Sequence, residues 1–244
     1  MPHAHPVSWF DDLAWAAIAV ACASAAIIAW DILVKGYRQK MWIMDAVWPI
    51  TALYWGPVAV WQYYKRGRVR SQPLLARIGG MDQAAEIEGG QEPEIGGTGW
   101  WPISKGVSHC GAGCTLGDII GEWTVFATGF TLASVELPAD MLLDFVLAWS
   151  FGIVFQYFTI APMRGLSGSK GWWLAIRADT LSILSFQLGL FAGMAIYNQV
   201  LWQPPLPHDS AAYWFLMQLS MIVGFFTAMP VNAWLIRKGW KEAM

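Results

Sequence analysis

An imidazole, two thiols and two carboxylates crowd into one stretch, Ser108-His109-Cys110-Gly111-Ala112-Gly113-Cys114-Thr115-Leu116-Gly117-Asp118, which continues through Gly121 and Glu122 into an apolar run ending near Val135. On a helix, Cys110, Cys114, Asp118 and Glu122 recur every fourth residue and form a polar stripe about 18 Å long on a slowly drifting face. Thiolates select Cu(I) or Zn(II), and imidazole suits several metals. Cys110 and Cys114, with His109 as a third donor, therefore make a candidate soft-metal site. Asp118 and Glu122 would accept hydrogen bonds behind the ligands, carry protons or serve as further stations for the ion. Gln156 lies inside another apolar segment, and Met163 closes it with a sulfur that would extend a copper path. Glu136, Asp140 and Asp144 have no basic neighbour in sequence and would attract cations where the next segment begins.

The same residues admit two other chemistries. Two Cys four apart on a helix have Cα atoms about 6 Å apart, within the range a disulfide tolerates although strained, so thiol redox exchange is the second reading. In the third, Cys and Gly are small packing residues and the protein is a structural or accessory subunit of a membrane complex. No haem is expected, because His109 is the one His near an apolar segment and no facing pair of imidazoles results. Neither a Ser-His-acid arrangement nor a paired-His helix motif occurs, so no enzymatic activity is assigned.

Composition defines where these residues must work. Hydrophobic residues make up 56% of 244 positions and charged ones 13%, with mean hydropathy +0.41. This balance belongs to an integral membrane protein. The apolar residues gather into segments of about 20, enough to cross a hydrocarbon core of about 30 Å, and 17 Trp with 7 Tyr supply interfacial anchors. The partner implied is the lipid bilayer. Nucleic acid is excluded as a partner, since no basic recognition motif and no phosphate-cradling Gly-rich loop followed by Lys is present. Three Cys give no secreted disulfide framework.

The fold class expected is all-α, a polytopic bundle of six transmembrane helices in a single domain, 1–244. The spans run over Leu13 to Leu33, Met41 to Tyr64, His109 to Val135, Met141 to Ala161, Asp179 to Leu201 and Tyr213 to Leu235. Cys22, alone among alanines, reads as a small buried hydrophobe. Asp45, Pro49, Gly56 and Pro57 predict a kinked or unwound second segment. The polar stretch 65–108 reads as a partly disordered aqueous loop, acidic through Glu86, Glu88, Glu92 and Glu94, with Ser108 capping the third span. Gly113, Gly117 and Gly121 permit close approach of a neighbouring helix, and Gly189 with Gly193 on the fifth span is the expected partner.

With six spans, 12 of the 15 Lys and Arg share the side of both termini, which is then cytoplasmic. Lys35, Arg38 and Lys40 are the exceptions. An alternative with five spans and a re-entrant segment over 41–64 puts all 15 on one side, with the N-terminus opposite. Both versions set the thiols near the cytoplasmic surface, where an ion could pass to a soluble metal carrier.

His109 to Asp118, Phe155-Gln156-Tyr157-Phe158, Ile160-Ala161-Pro162-Met163-Arg164, and Pro230-Val231-Asn232 through Lys241-Glu242 resemble the bacterial multi-pass membrane family known as domain of unknown function 4396. The resemblance extends from Trp48-Pro49-Ile50-Thr51-Ala52-Leu53-Tyr54 to the C-terminus, and the His-Cys-x3-Cys-x3-Asp run is its most specific part. It implies a multi-pass location in the bacterial inner membrane. It implies no activity, so the function has to come from the site: binding or transport of copper or zinc.

Overall fold

The computed structural model describes residues 8–80, 99–131, 137–202 and 205–241. Its regular structure is helical: α1 (Ser8–Leu33), α2 (Met44–Trp55), α3 (Pro57–Gln62), α4 (Gln72–Ile78), α5 (Trp100–Thr128), α6 (Leu137–Met163), α7 (Gly168–Ala195) and α8 (Ala211–Arg237). A π-helical turn, Tyr63–Gly67, extends α3, and another, Ile196–Leu201, extends α7. Four of these helices, α1, α6, α7 and α8, are long and apolar enough to cross a membrane. The protein is a multi-pass helical membrane bundle.

α5 is as long as the crossing helices, 29 residues or about 43 Å. It carries more polar groups than they do, and the bundle buries them: Lys105, His109, Asp118 and Glu122 are all shielded. α5 also begins earlier than expected. Its N-cap is Gly99, so Ser108 lies in the third helical turn rather than at the start. The acidic, glycine-rich stretch 81–98 lies outside the described residues, as does Glu136.

The second segment is a hairpin. α2 ends at Gly56, whose φ of 51° and ψ of −130° suit glycine, and Pro57 opens α3 in the opposite direction. A continuous helix would hold Trp48 and Tyr63 about 22 Å apart, yet their ring centroids are 5.7 Å apart. Beyond Tyr63 the chain is back beside the end of α1: the Tyr63 hydroxyl donates to Asp31 Oδ2 at 2.9 Å, and Arg68 Nε donates to the same oxygen at 2.8 Å. Gln39 and Ser71 form a bridge across the base. Residues 41–64 therefore fold back on themselves, the shape that the re-entrant alternative expects, rather than running as one continuous helix. Proline and glycine break the helix, and the buried Asp31 carboxylate draws the returning strand of basic residues toward α1.

This hairpin gives the bundle a basic end. It contains the hairpin base, the start of α5, the link between α6 and α7 with the first three turns of α7, and the last turn of α8 with the tail after it, and all 15 Lys and Arg fall on these segments. The N-terminal turn of α1 lies at the opposite end, where Phe10 packs on Trp202 and Phe215. The described chain ends are thus on opposite faces, not together. Cys22 is exposed on the outer surface of α1, not buried.

The glycine stripe of α5 packs on α6. A Cβ on Gly113 would meet the backbone of Gly152 at 2.7 Å, one on Gly117 would meet the backbone of Ala148, and Gly121 abuts Asp144. The expected partner was α7, but Gly189 and Gly193 instead receive Thr227, Gly224 and Ser220 of α8. Small residues meet small residues in both seams: Ala148 and Gly152 repeat the four-residue spacing on α6 as Ser220 and Gly224 do on α8.

Candidate metal centre

Because α5 has 3.6 residues per turn, its polar stripe drifts by about 40° for every four residues. Its two ends consequently face different neighbours, and two separate polar clusters result.

At the basic end, Cys110 faces α7 and the tail. Its thiol donates to Asp179 Oδ1 at 2.8 Å, lies 2.9 Å from Ser182 Oγ, and accepts from Lys241 Nζ at 2.9 Å. Lys241 also pairs with Asp179 at 2.7 Å, with both side chains fully buried. Burial alone would lower the Lys241 ammonium, but the charge of Asp179 and the contact with Cys110 outweigh it and hold the group above the ordinary lysine value. Cys114 packs in the apolar core with Tyr54, Ile183 and Phe186. His109 turns toward α6, where its Nε2 lies 2.8 Å from the Thr159 hydroxyl. The stretch that suggested a soft-metal site is thus distributed over three environments, and His109, Cys110 and Cys114 do not converge. All three cysteines are free thiols.

Midway along the stripe, Asp118 Oδ1 accepts from Gln187 Nε2 at 2.8 Å, while Asp118 Oδ2 has no protein partner. Gln156 is buried on α6, its amide likewise unpartnered by protein. Met163 is the last residue of α6, and its side chain lies outside the described set.

At the opposite end, α5, α6 and the turn before α8 bring three ligand types together. Glu122, Asp140 and His208 form the one group of three or more His, Cys, Asp or Glu side chains among the described residues whose donor atoms converge, all within 4.8 Å of one another. His208 Nε2 is 2.8 Å from Glu122 Oε2 and 3.6 Å from Asp140 Oδ2. The Tyr213 hydroxyl donates to Glu122 Oε2 at 2.6 Å, and the Tyr213 and His208 ring centroids are 4.6 Å apart. Asp144, 1% exposed, sits against Gly121 beside this group. Burial would lower the His208 pKa, but hydrogen bonds to Asp140 and Glu122 raise it to about 10. Without a metal the cluster therefore holds an imidazolium between two carboxylates. A divalent ion would replace that proton and take two oxygens and one nitrogen.

The position of His208 follows from local sequence. Leu206 is buried beneath the loop, and Ser210 caps α8 by accepting from the Tyr213 amide at 3.2 Å, which fixes the residues just before the helix. Trp214 Nε1 donates to the His208 carbonyl at 2.8 Å. From sequence alone His208 is a loop histidine. The available signal was its place immediately before a capped span, at the same end as Glu122 and Asp140.

Fold and site define a helical multi-pass membrane protein with ionisable groups buried along its central helix. The model of the family described as domain of unknown function DUF4396 matches residues 99–241, and the chain belongs to that family. The match takes in α5 to α8 and Lys241, whereas Trp48 to Tyr54 of the hairpin lie outside it. No curated protein and no solved structure matches the chain.

Proposed function

We propose that this protein binds a divalent transition-metal ion within the membrane, zinc foremost, through Glu122, Asp140 and His208. The observation that carries this reading is the convergence of two carboxylates and an imidazole from three separate segments in a buried site. Ionisable residues inside a membrane bundle are costly and mark function. One imidazole and two carboxylates suit zinc and neighbouring divalent ions, and three protein ligands leave a position open for water or exchange. Copper(I) fits this set less well, since it contains no sulfur. Asp144, Asp118 and Gln187 continue the polar column inward from the centre, which favours transport over static binding. The concentration of all 15 basic residues at the other end argues that the site opens away from the cytoplasm.

The test is metal content and zinc titration of the purified protein. One tightly held zinc per chain is expected, lost in Glu122→Gln and His208→Ala and retained in Cys114→Ser. Zinc binding that survives both of the first two substitutions would overturn the assignment.

A further inference from the structure

At the basic end the bundle encloses a set of donors arranged around a cation, and that cation is the protein's own. Lys241 Nζ lies 2.7 Å from Asp179 Oδ1, 2.9 Å from Cys110 Sγ and 3.4 Å from the Gly106 carbonyl oxygen. Ser182 Oγ adjoins the thiol and receives Asn232 Nδ2 at 2.7 Å. Two further buried oxygens, Asp179 Oδ2 and Asn232 Oδ1, have no protein partner. Asn232 Oδ1 faces Gly106: a Cβ there would lie 3.8 Å from it and 3.6 Å from Lys241 Cε. The donors exceed what one ammonium satisfies.

Lys241 is not anchored in a membrane helix. α8 ends at Arg237, and Gly239, with φ of 67°, turns the chain so that Lys241 points back into the bundle. The turn is held by backbone hydrogen bonds to the end of α8, Trp240 N to the Leu235 carbonyl at 3.0 Å and Lys241 N to the same oxygen at 3.3 Å, and by two surface contacts: Arg164 Nη2 donates to the Gly239 carbonyl at 3.4 Å, and the Arg177 guanidinium lies over the Trp240 ring at 4.2 Å. Withdrawing the ammonium requires this short turn to break its hydrogen bonds to the Leu235 carbonyl and swing out, a change confined to the residues after α8.

We infer that Asp179, Cys110 and the oxygens around them form a second, inner metal-ion site, for which the Lys241 ammonium is a tethered competitor. The charges balance in both states. With Lys241 in place, an ammonium, a carboxylate and a neutral thiol sum to zero. With a divalent ion in its place, the thiol loses one proton, and the ion, carboxylate and thiolate again sum to zero. The new bond is metal to sulfur, the bond broken is S–H, its proton passes to solvent through the opening the tail leaves, and the ammonium leaves with its own protons. A mixed sulfur and oxygen set suits zinc or cadmium. This inference deepens the reading of the protein as a metal-ion binder by adding a station at the other end of α5, and the outer site can fail without it.

Cadmium is the probe, because a cadmium–thiolate bond gives its own ultraviolet charge-transfer band. Full-length protein in a Cys22→Ser background is titrated with cadmium. Lys241→Met is expected to develop the band at cadmium concentrations at least tenfold lower than the parent chain does. Adding Cys110→Ser should abolish the band, and adding Cys114→Ser or His208→Ala should leave it. Loss of outer-site binding in His208→Ala with the band intact separates this site from the outer one. A folded Lys241→Met protein with no band, or a band that persists without Cys110, would overturn the inference. If Lys241→Met does not fold, the parent chain decides: a Cys110-dependent band at high cadmium upholds the inner site, and no band at saturation sinks it.

Discussion

The Tyr213 hydroxyl donates to Glu122 Oε2 at 2.6 Å, joining α8 to α5 at the oxygen that also faces His208. A hydrogen bond of this kind fixes which lone pair a carboxylate presents to an ion, and loss of such supporting bonds typically costs about 10–100-fold in metal affinity. Tyr213→Phe keeps the ring and removes only the donor. Its zinc dissociation constant is expected to rise by about that factor, with little change in thermal stability. Unchanged affinity on calorimetric titration would show that Glu122 is oriented by other contacts.

Gly117 makes the tightest backbone contact of the α5 and α6 seam, because an added Cβ would run into the Ala148 backbone, which cannot swing aside as a side chain could. Overpacking typically costs about 1–3 kcal/mol, and more where backbones must separate. Gly117→Leu is expected to lower the melting temperature in detergent far more than Ile120→Leu, since Ile120 is exposed on the outer face of the same helix. Equal melting temperatures would contradict this packing.

The relation of sequence to fold is uneven for physical reasons. α1, α6 and α8 announce themselves as long apolar runs, and Pro57 after Gly56 announces a break. The direction taken after the break depends on Tyr63 and Arg68 meeting Asp31, a contact between residues more than 30 apart that no local pattern encodes. The four-residue stripe on α5 was legible as a set of special residues. Its division into two clusters was not, because the division depends on what α7 and α8 present to each face. Asp179, Tyr213 and Lys241 each look ordinary in sequence: an acid expected near a helix start, an interfacial tyrosine and a terminal lysine. Burial next to α5 is what changes their meaning.

His208 gives a pH dependence of definite sign. Its pKa is about 10 in the folded chain against an ordinary 6.5, so folding favours the protonated ring. The resulting stabilisation is fully present below about pH 6.5 and is lost as pH rises through about 10. Metal-free protein should therefore lose thermal stability between pH 7 and 10, and His208→Gln should lose less over the same interval. Parallel curves for the two proteins would mean that the imidazolium is not held by Glu122 and Asp140 as described.

The hairpin makes the final prediction, which concerns sidedness. Trp48 and Tyr63 are in ring contact, and Gln72 N donates to the Arg38 carbonyl at 2.8 Å, so the chain must enter and leave this segment at the same end of the bundle. Lys238 follows α8 at that end too, while Asp12 lies in the second turn of α1 at the other. Single cysteines at positions 12, 40, 77 and 238, each in a background lacking the native thiols, separate the arrangements. In oriented vesicles, an impermeant maleimide should label positions 40, 77 and 238 from one side and position 12 from the other. A hairpin that crossed the membrane would place 40 and 77 on opposite sides, and that pattern would also remove the charge argument for which way the metal site opens.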